Sequence, residues 1–201
     1  MALEAAFFLG QFLRSPTTTT GAIMPSSRYL AAAVAAPIPE RGDPVVVELG
    51  AGTGPFTAEI QRRLAGRGRH IAIEINPRLA DRLARRHPEV ELVVDDAARL
   101  PRLLAERGIP AADVIVSGLP WAAFSATVQS RLLDAVLRVM RPDGAFTTFS
   151  YAHARPLTTA IRFRRRLHAA FEEVVPSSTI WRNLPPAFVY HARRPRPAPT
   201  G

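Results

Sequence analysis

The segment Val45-Val46-Val47-Glu48-Leu49-Gly50-Ala51-Gly52-Thr53-Gly54 constrains this chain more than any other. Its apolar run is what a strand buried on both faces needs, and such strands belong to parallel sheets covered by helices. The alternate glycines that follow let the backbone turn sharply and approach a ligand with no Cβ in the way. From here strand-like and helix-like stretches alternate. Helices are predicted over Pro55–Leu64, Pro77–Arg86, Ala98–Arg107 and Ser125–Met140. Strands are predicted over His70–Ile75, Glu91–Val94, Asp113–Ser117 and Ala145–Ser150. Strands separated by helices imply parallel βαβ units, an α/β fold.

The two ends of the chain read differently. Residues 2–14 suit a helix ended by Ser15-Pro16, with an apolar surface too wide for one core to cover. It is either wedged against the domain or a contact for a membrane or a second copy. A second short helix is predicted over Arg28–Ala36. Leu157–Phe171 predicts a helix with Leu157, Ala160, Ile161, Phe163, Leu167 and Phe171 on one side and Arg162, Arg165 and Arg166 on the other. Val174–Trp181 and Ala187–Ala192 then read as an antiparallel strand pair. The organisation expected is a helical segment over 1–36, one domain over 37–193 and a Pro-rich disordered tail over 194–201.

Composition narrows the chemistry. The chain has no cysteine, which removes disulfides and thiol catalysis, and its five histidines show no ligand spacing, so no metal site is expected. The net charge of +9 is uneven: after residue 150 nine Arg face two acids, whereas before it 17 Arg face 15 acids. Such clustering points to an anionic partner, membrane or RNA. The apolar stretch Ala5–Leu13 is shorter than the roughly 20 residues of a bilayer span and lacks a basic leader, so a cytoplasmic protein is expected.

In a parallel sheet the ligand lies past the carboxyl ends of the strands. The glycine loop there departs from both nucleotide fingerprints: Pro55 occupies the last glycine place of a dinucleotide loop, and the chain has no Lys for a P-loop. Glu48 would repel phosphates but suits a ligand with a positive end, such as the ammonium of S-adenosylmethionine. Gly50, Gly52, Thr53 and Gly54 would form the loop around it. Glu74 ends the second strand, where a carboxylate can accept from two ribose hydroxyls, with Ile75 packed on the adenine. Asp96, with Ala97, follows the third strand and suits an adenine amino group; Asp95 is the alternate. Each acid alone could be a solvated loop residue. Three in register after successive strands form a cofactor site, and together they resemble the class I S-adenosylmethionine-dependent methyltransferases. That resemblance implies a Rossmann-like, seven-stranded, mostly parallel sheet with a reversed last strand and helices on both faces.

The fourth strand ends in Ser117-Gly118-Leu119-Pro120-Trp121, which resembles the Asn/Asp/Ser-x-Pro-aromatic motif of nitrogen-directed methyltransferases. Backbone carbonyls there and the Ser117 side chain would accept from an amine, and Ser117 would also touch the cofactor. Leu119 and Pro120 would shape the loop, and the Trp121 ring would pack on the acceptor. The alternative is a capping serine and a core tryptophan. An alkylamine, with a pKa near 10, must lose a proton before attack. No His or Glu near the motif is an obvious base, so desolvation and alignment are expected to dominate.

Three segments narrow the resemblance: Gly21-Ala22-Ile23-Met24-Pro25-Ser26-Ser27-Arg28, the Ser117 loop, and Arg182-Asn183-Leu184-Pro185-Pro186-Ala187. Together they resemble the bacterial phospholipid N-methyltransferases of the PmtA type, over about residues 7–192. The family implies methylation of phosphatidylethanolamine or a related aminolipid by a protein peripheral to the inner membrane face, with an anionic membrane surface as partner. The chain departs from it in having a nearly neutral first helix, its positive charge moved to residues 155–166. Tyr29, Tyr151 and Tyr190 are candidates to line the acceptor pocket, and Arg28 to meet a phosphate. The rival readings are a methyltransferase of a soluble amine or other metabolite, an RNA adenine N6-methyltransferase, and a binding module without catalysis. Ser117 in place of Asn, and no room for a helical C-terminal domain, argue against nucleic acid.

Overall fold

The computed structural model describes residues 26–196. The helix predicted over residues 2–14, the Gly21–Pro25 part of the first motif and the last five residues lie outside them. Seven strands form one sheet: β1 (Val45–Leu49), β2 (Arg69–Glu74), β3 (Glu91–Val94), β4 (Ala112–Ser117), β5 (Met140–Tyr151), β6 (Phe171–Pro176) and β7 (Ala187–Pro195). Their spatial order is β3-β2-β1-β4-β5-β7-β6. The pairs from β3 across to β5 are parallel, and β7 runs antiparallel to both β5 and β6. This is the mostly parallel sheet with a reversed last strand.

Side chains alternate across the sheet and so sort the core into two layers. Val47, Leu49, Ile71, Ile73, Ile115 and Phe146 face one layer. That layer is closed by α4 (Leu100–Ala105), α5 (Ala126–Val139) and α6 (Thr158–Ala170). Val46, Val114, Val116 and Val189 face the other, under α1 (Arg28–Val34) and α2 (Pro55–Leu64). Ala72 lies on that same side and packs under Leu83 of α3 (Pro77–Arg86). Strands covered on both faces explain why β1 is apolar at every position but Glu48.

The helix starts follow from local chemistry. Ser27, Asn76 and Ser125 cap α1, α3 and α5 by accepting from backbone amides of the first turn, and Pro stands in the first turn of α2, α3 and α4. Several features depart from the sequence expectation. The helix predicted over Ala98–Arg107 is a 3₁₀ turn, Ala97–Arg99, followed by the short α4. β6 starts at Phe171 and ends at Pro176: Ser177 N–H still donates to the Val189 carbonyl at 2.8 Å, but Val189 N–H goes to Ser177 Oγ at 3.0 Å instead of a main-chain carbonyl, and an isolated bridge from Ile180 to Ala187 follows. β7 continues through Arg194 to Pro195, residues expected in the tail. On α6, Arg164 and Arg165 are exposed while Arg162 and Arg166 are half-buried, so the cationic face is turned from the expected one.

Candidate active site

The winding of the sheet reverses between β1 and β4, which opens a crevice past their carboxyl ends. Three loops meet there through backbone bonds. Gly50 N–H donates to the Ile73 carbonyl and Gly118 N–H to the Leu49 carbonyl, both at 2.8 Å. A Cβ on Gly118 would lie 2.6 Å from the Gly50 carbonyl oxygen, and one on Gly50 2.7 Å from Leu119 Cδ2. Glycine at both places lets the two loops touch. Gly52 is different: its φ of +57° favours glycine, but an added Cβ would meet nothing closer than 4.0 Å. The backbone there faces open space. Gly54 caps α2 with Leu83 close against it, and Thr53 is exposed.

The three acids are placed by different means. Glu74 is buried at the end of β2, accepting from Gly52 N–H through Oε2 and from Asn76 N–H through Oε1, both at 2.8 Å. It therefore holds the glycine loop against β2. Ile75 follows it, half-buried. Asp96 accepts from Ala98 N–H at 2.9 Å and pairs with Arg131 at 3.2 Å, with Ala97 buried beside it. Asp95 is held by Arg99. Glu48 is fully buried on the α2 side of β1. Its Oε2 accepts from the Thr57 hydroxyl at 2.7 Å and lies 3.2 Å from His70 Nε2, while Gln61 Nε2 sits 2.9 Å from His70 Nδ1. Glu48 Oε1 has no partner among the described residues.

The loop after β4 corrects the sequence reading. Ser117 Oγ accepts from the Trp121 indole N–H at 3.0 Å and from Leu119 N–H at 3.3 Å, and both side chains are buried. The Trp121 ring is only 2% exposed, stacked on Phe163 at 4.4 Å and set edge-on to Phe124 and Phe146. Trp121 is thus a core residue whose ring is committed to α6 and β5, and Ser117 is its anchor. The motif also places its polar residue two before Pro120, which is Gly118. Ser117 comes one position too early. Gln129 Nε2 donates to the Trp121 carbonyl at 2.8 Å, fixing the loop from α5. The Leu119 and Pro120 carbonyls accept from Trp121 and Ala123 N–H groups; the Gly118 carbonyl takes none of these bonds.

The tyrosines separate. Tyr190 is buried against Phe163 and Phe188, a core position, and burial raises its phenol pKa. Tyr151, at the end of β5, stacks on His153 and is likewise raised by burial. Tyr29 lies half-buried near the start of α1, and its hydroxyl accepts from Arg28 at 2.9 Å and Arg182 at 2.7 Å. Those two bonds, Arg28's foremost, lower its pKa. Ser27 N–H donates to Asn183 Oδ1 at 2.9 Å, and Ala152 N–H to the Pro186 carbonyl at 2.8 Å, so the first and third motifs meet beside the end of β5. Thr57, His70, Arg131 and Arg182 were not expected in these roles. Only His70, a polar residue within a buried strand register, carried a signal in the sequence.

A family model described as a methyltransferase domain matches residues 46–144. An ornithine lipid N-methyltransferase from Singulisphaera acidiphila is 35% identical over 189 residues, covering 92% of this chain and 94% of that protein. The chain belongs to the class I S-adenosylmethionine-dependent methyltransferases. Within them it is related to the lipid N-methyltransferases. Among solved structures, an O-methyltransferase of Streptomyces achromogenes from tomaymycin synthesis, in complex with S-adenosylmethionine, superposes with a TM-score of 0.66 at 15% identity, covering 92% of this chain and 89% of that one. A Thermotoga maritima S-adenosylmethionine-dependent O-methyltransferase gives 0.65 at 13% identity, covering 92% and 72%. These two likenesses speak for the methyltransferase fold.

The cofactor of this methyltransferase is S-adenosylmethionine, and the site fits it on its own evidence. A buried carboxylate oxygen without a donor is costly, and Glu48 Oε1 is one beside a loop built for close approach. The open space over Gly52 is where a ligand would lie against bare backbone. Among the described residues no helix is long and apolar enough to cross a membrane.

Proposed function

We propose that this methyltransferase moves a methyl group from S-adenosylmethionine to the amine of an aminolipid at the inner face of a membrane. Phosphatidylethanolamine and ornithine lipid are the acceptor candidates. The observation that carries this is the near full-length similarity to an ornithine lipid N-methyltransferase. Bound S-adenosylmethionine supplies a methyl group on a sulfonium, an electrophile needing only an aligned nucleophile. Glu48 Oε1 would accept from its ammonium, Glu74 from the ribose hydroxyls and Asp96 from the adenine amino group, with Ile75 and Ala97 packed on the base. Gly52 keeps the approach open, Gly54 lets the loop turn into α2 against Leu83, and Thr53 would form the rim.

The chain's own contribution at the acceptor is positional. Among the described residues the Gly118 carbonyl accepts no hydrogen bond, and it would hold an amine N–H so that the lone pair faces the methyl. Leu119, Pro120 and the buried Ser117–Trp121 bond keep that carbonyl in place. A site closed by the apolar Leu119 favours the neutral amine, and the proton leaves to water. The arginine excess after residue 150 supports attraction to an anionic leaflet, worth about 1 kcal/mol per residue near the surface.

Incubating the protein with methyl-labelled S-adenosylmethionine and separate pools of lipid, RNA and soluble amines tests this reading. Label in the aminolipid pool supports it; label in soluble amines alone replaces it with a metabolite methyltransferase. Binding to anionic vesicles is expected to weaken with salt, and indifference to them at low salt defeats the membrane placement.

A further inference from the structure

The contact between the first and third motifs creates a feature the methyl-transfer machinery does not use. Arg28 and Arg182 both donate to the Tyr29 hydroxyl and both lie over its ring, their guanidinium carbons 4.9 and 5.0 Å from the ring centroid. Neither is paired with a carboxylate within the described residues, where nine arginine–carboxylate ion pairs form elsewhere. Two cations held on one ring repel each other unless an anion lies between them. The guanidinium fork matches carboxylate and phosphate oxygens two at a time.

The surroundings suit one kind of anion. Beside the pair runs an open groove of about 470 Å³, lined by Tyr29, Ala33, Ile180, Trp181 and the Ser177–Thr179 stretch. Its wall carries Trp181, 77% exposed, with Leu184 at 68% just beyond. Large apolar groups beside unpaired cations, at one lip, are what an anionic headgroup followed by a hydrocarbon chain presents in mirror image. The lip stands on the catalytic edge. β6 and β5 end there, β7 begins there, and Ser27 ties α1 to Asn183 across 156 positions of sequence. Asn183 Nδ2 also donates to the Pro185 carbonyl at 2.7 Å, so the connection is braced.

We propose that Arg28, Tyr29 and Arg182 form the subsite for the anionic group of the lipid headgroup, carboxylate or phosphate, with the Trp181 groove taking the start of its acyl chain. This rests on the aminolipid reading above. The clamp selects lipids that join an amine to an anion, and its distance from the Gly118 carbonyl would set the headgroup length accepted. Tyr29 serves as the frame that holds both guanidinium groups through its hydroxyl and ring.

The test uses the full chain and its tryptophans. Of the two, Trp121 is buried and Trp181 exposed, so lipid-induced change in emission reports on Trp181. Titration with ornithine lipid, phosphatidylethanolamine and a neutral diacylglycerol in neutral detergent is expected to give a saturable change with the first two only. Arg28→Ala and Arg182→Ala should each weaken it roughly 10- to 100-fold, the range of one charge-assisted bidentate contact. Their KM for lipid should rise by a similar factor, with S-adenosylmethionine affinity unmoved. Arg182→Lys should restore only part, because the fork is lost. Wild-type affinity and KM in the double variant overturn the subsite. If wild-type protein binds these lipids in an arginine-dependent way but methylates none, the functional reading fails and the subsite stands. If it methylates them with no dependence on either arginine, the subsite fails and the function stands.

Discussion

The β1–β3 side of the catalytic edge and the β5–β7 side are built on opposite principles. The first holds its functional groups by short, buried contacts: Glu74 on Gly52, Asp96 on its own 3₁₀ turn, and Glu48 under α2 with Thr57 and His70. The second is assembled from the two ends of the described chain, Ser27 with Asn183 and Tyr29 with Arg182, and much of it is exposed. On the reading proposed above, the first side binds the methyl donor, which is the same for every acceptor and so suits a preorganised site. The acceptor side can vary with its loops without disturbing the donor, which is how one fold serves many substrates. Trp121 joins the two, packed between β5 and α6 while its indole holds the loop that touches Gly50.

The joint is where the largest effect is expected. Trp121→Ala should destabilise the fold by about 3–5 kcal/mol, the range for emptying a core aromatic site. Denaturant unfolding measures this. Trp121→Phe keeps one aromatic ring but loses part of the indole volume and the bond to Ser117, and should cost less, about 1–2 kcal/mol. Near-neutral Trp121→Ala would mean the ring is not core and would reopen the acceptor-contact reading.

The next effect belongs to the donor side alone. Glu74→Ala removes a carboxylate that holds Gly52 and would hold the cofactor ribose, so S-adenosylmethionine affinity should fall about 100-fold or more by calorimetry. Lipid-dependent Trp181 emission should be untouched. If both binding events fail together, the two sides are not independent.

Gly52→Ala sharpens the same contrast. The added methyl group meets no protein atom, so stability should drop only about 1–2 kcal/mol from the left-handed backbone. Cofactor affinity should nonetheless fall more than tenfold, because the methyl would occupy the cofactor's approach. Equal affinity in the variant would show that no ligand lies against this loop.

These contrasts follow what could be read from the sequence. The alternation of β1 to β5, and the placing of Glu48 and Glu74 at the ends of β1 and β2 and of Asp96 past β3, were legible because each depends on neighbours within a few residues. The direction of Trp121 was not. A tryptophan after a Pro looks the same locally whether its ring turns inward or outward, and Phe146 and Phe163, which decide it, lie 25 and 42 positions later. The pairing of Arg182 with Tyr29 spans 153 positions and needs the strand order to be known. Likewise, nothing near Pro176 announced that β6 would stop there, since Val174–Trp181 remains strand-like throughout.

The smallest effect expected is on the acceptor side. Burial, with the nearby Arg193 second, holds the His191 imidazole of β7 below its ordinary pKa of 6.5. The folded state therefore resists a proton that the unfolded chain accepts. Stability is full above that ordinary value and falls as pH drops through it towards the folded value. Unfolding free energy measured across this interval should decline on acidification, and His191→Asn should flatten the slope. An unchanged slope would assign it to other groups.

What receives the methyl group decides between an aminolipid and a metabolite methyltransferase, and mass spectrometry of the product identifies it. Purified protein is given deuterium-labelled S-adenosylmethionine and mixed vesicles holding phosphatidylethanolamine, ornithine lipid and an anionic lipid without an amine. Labelled methyl groups are expected on headgroup nitrogen of one or both aminolipids, and none on the third lipid. Label on oxygen, or transfer only to soluble amines added to the same mixture, would contradict the aminolipid assignment.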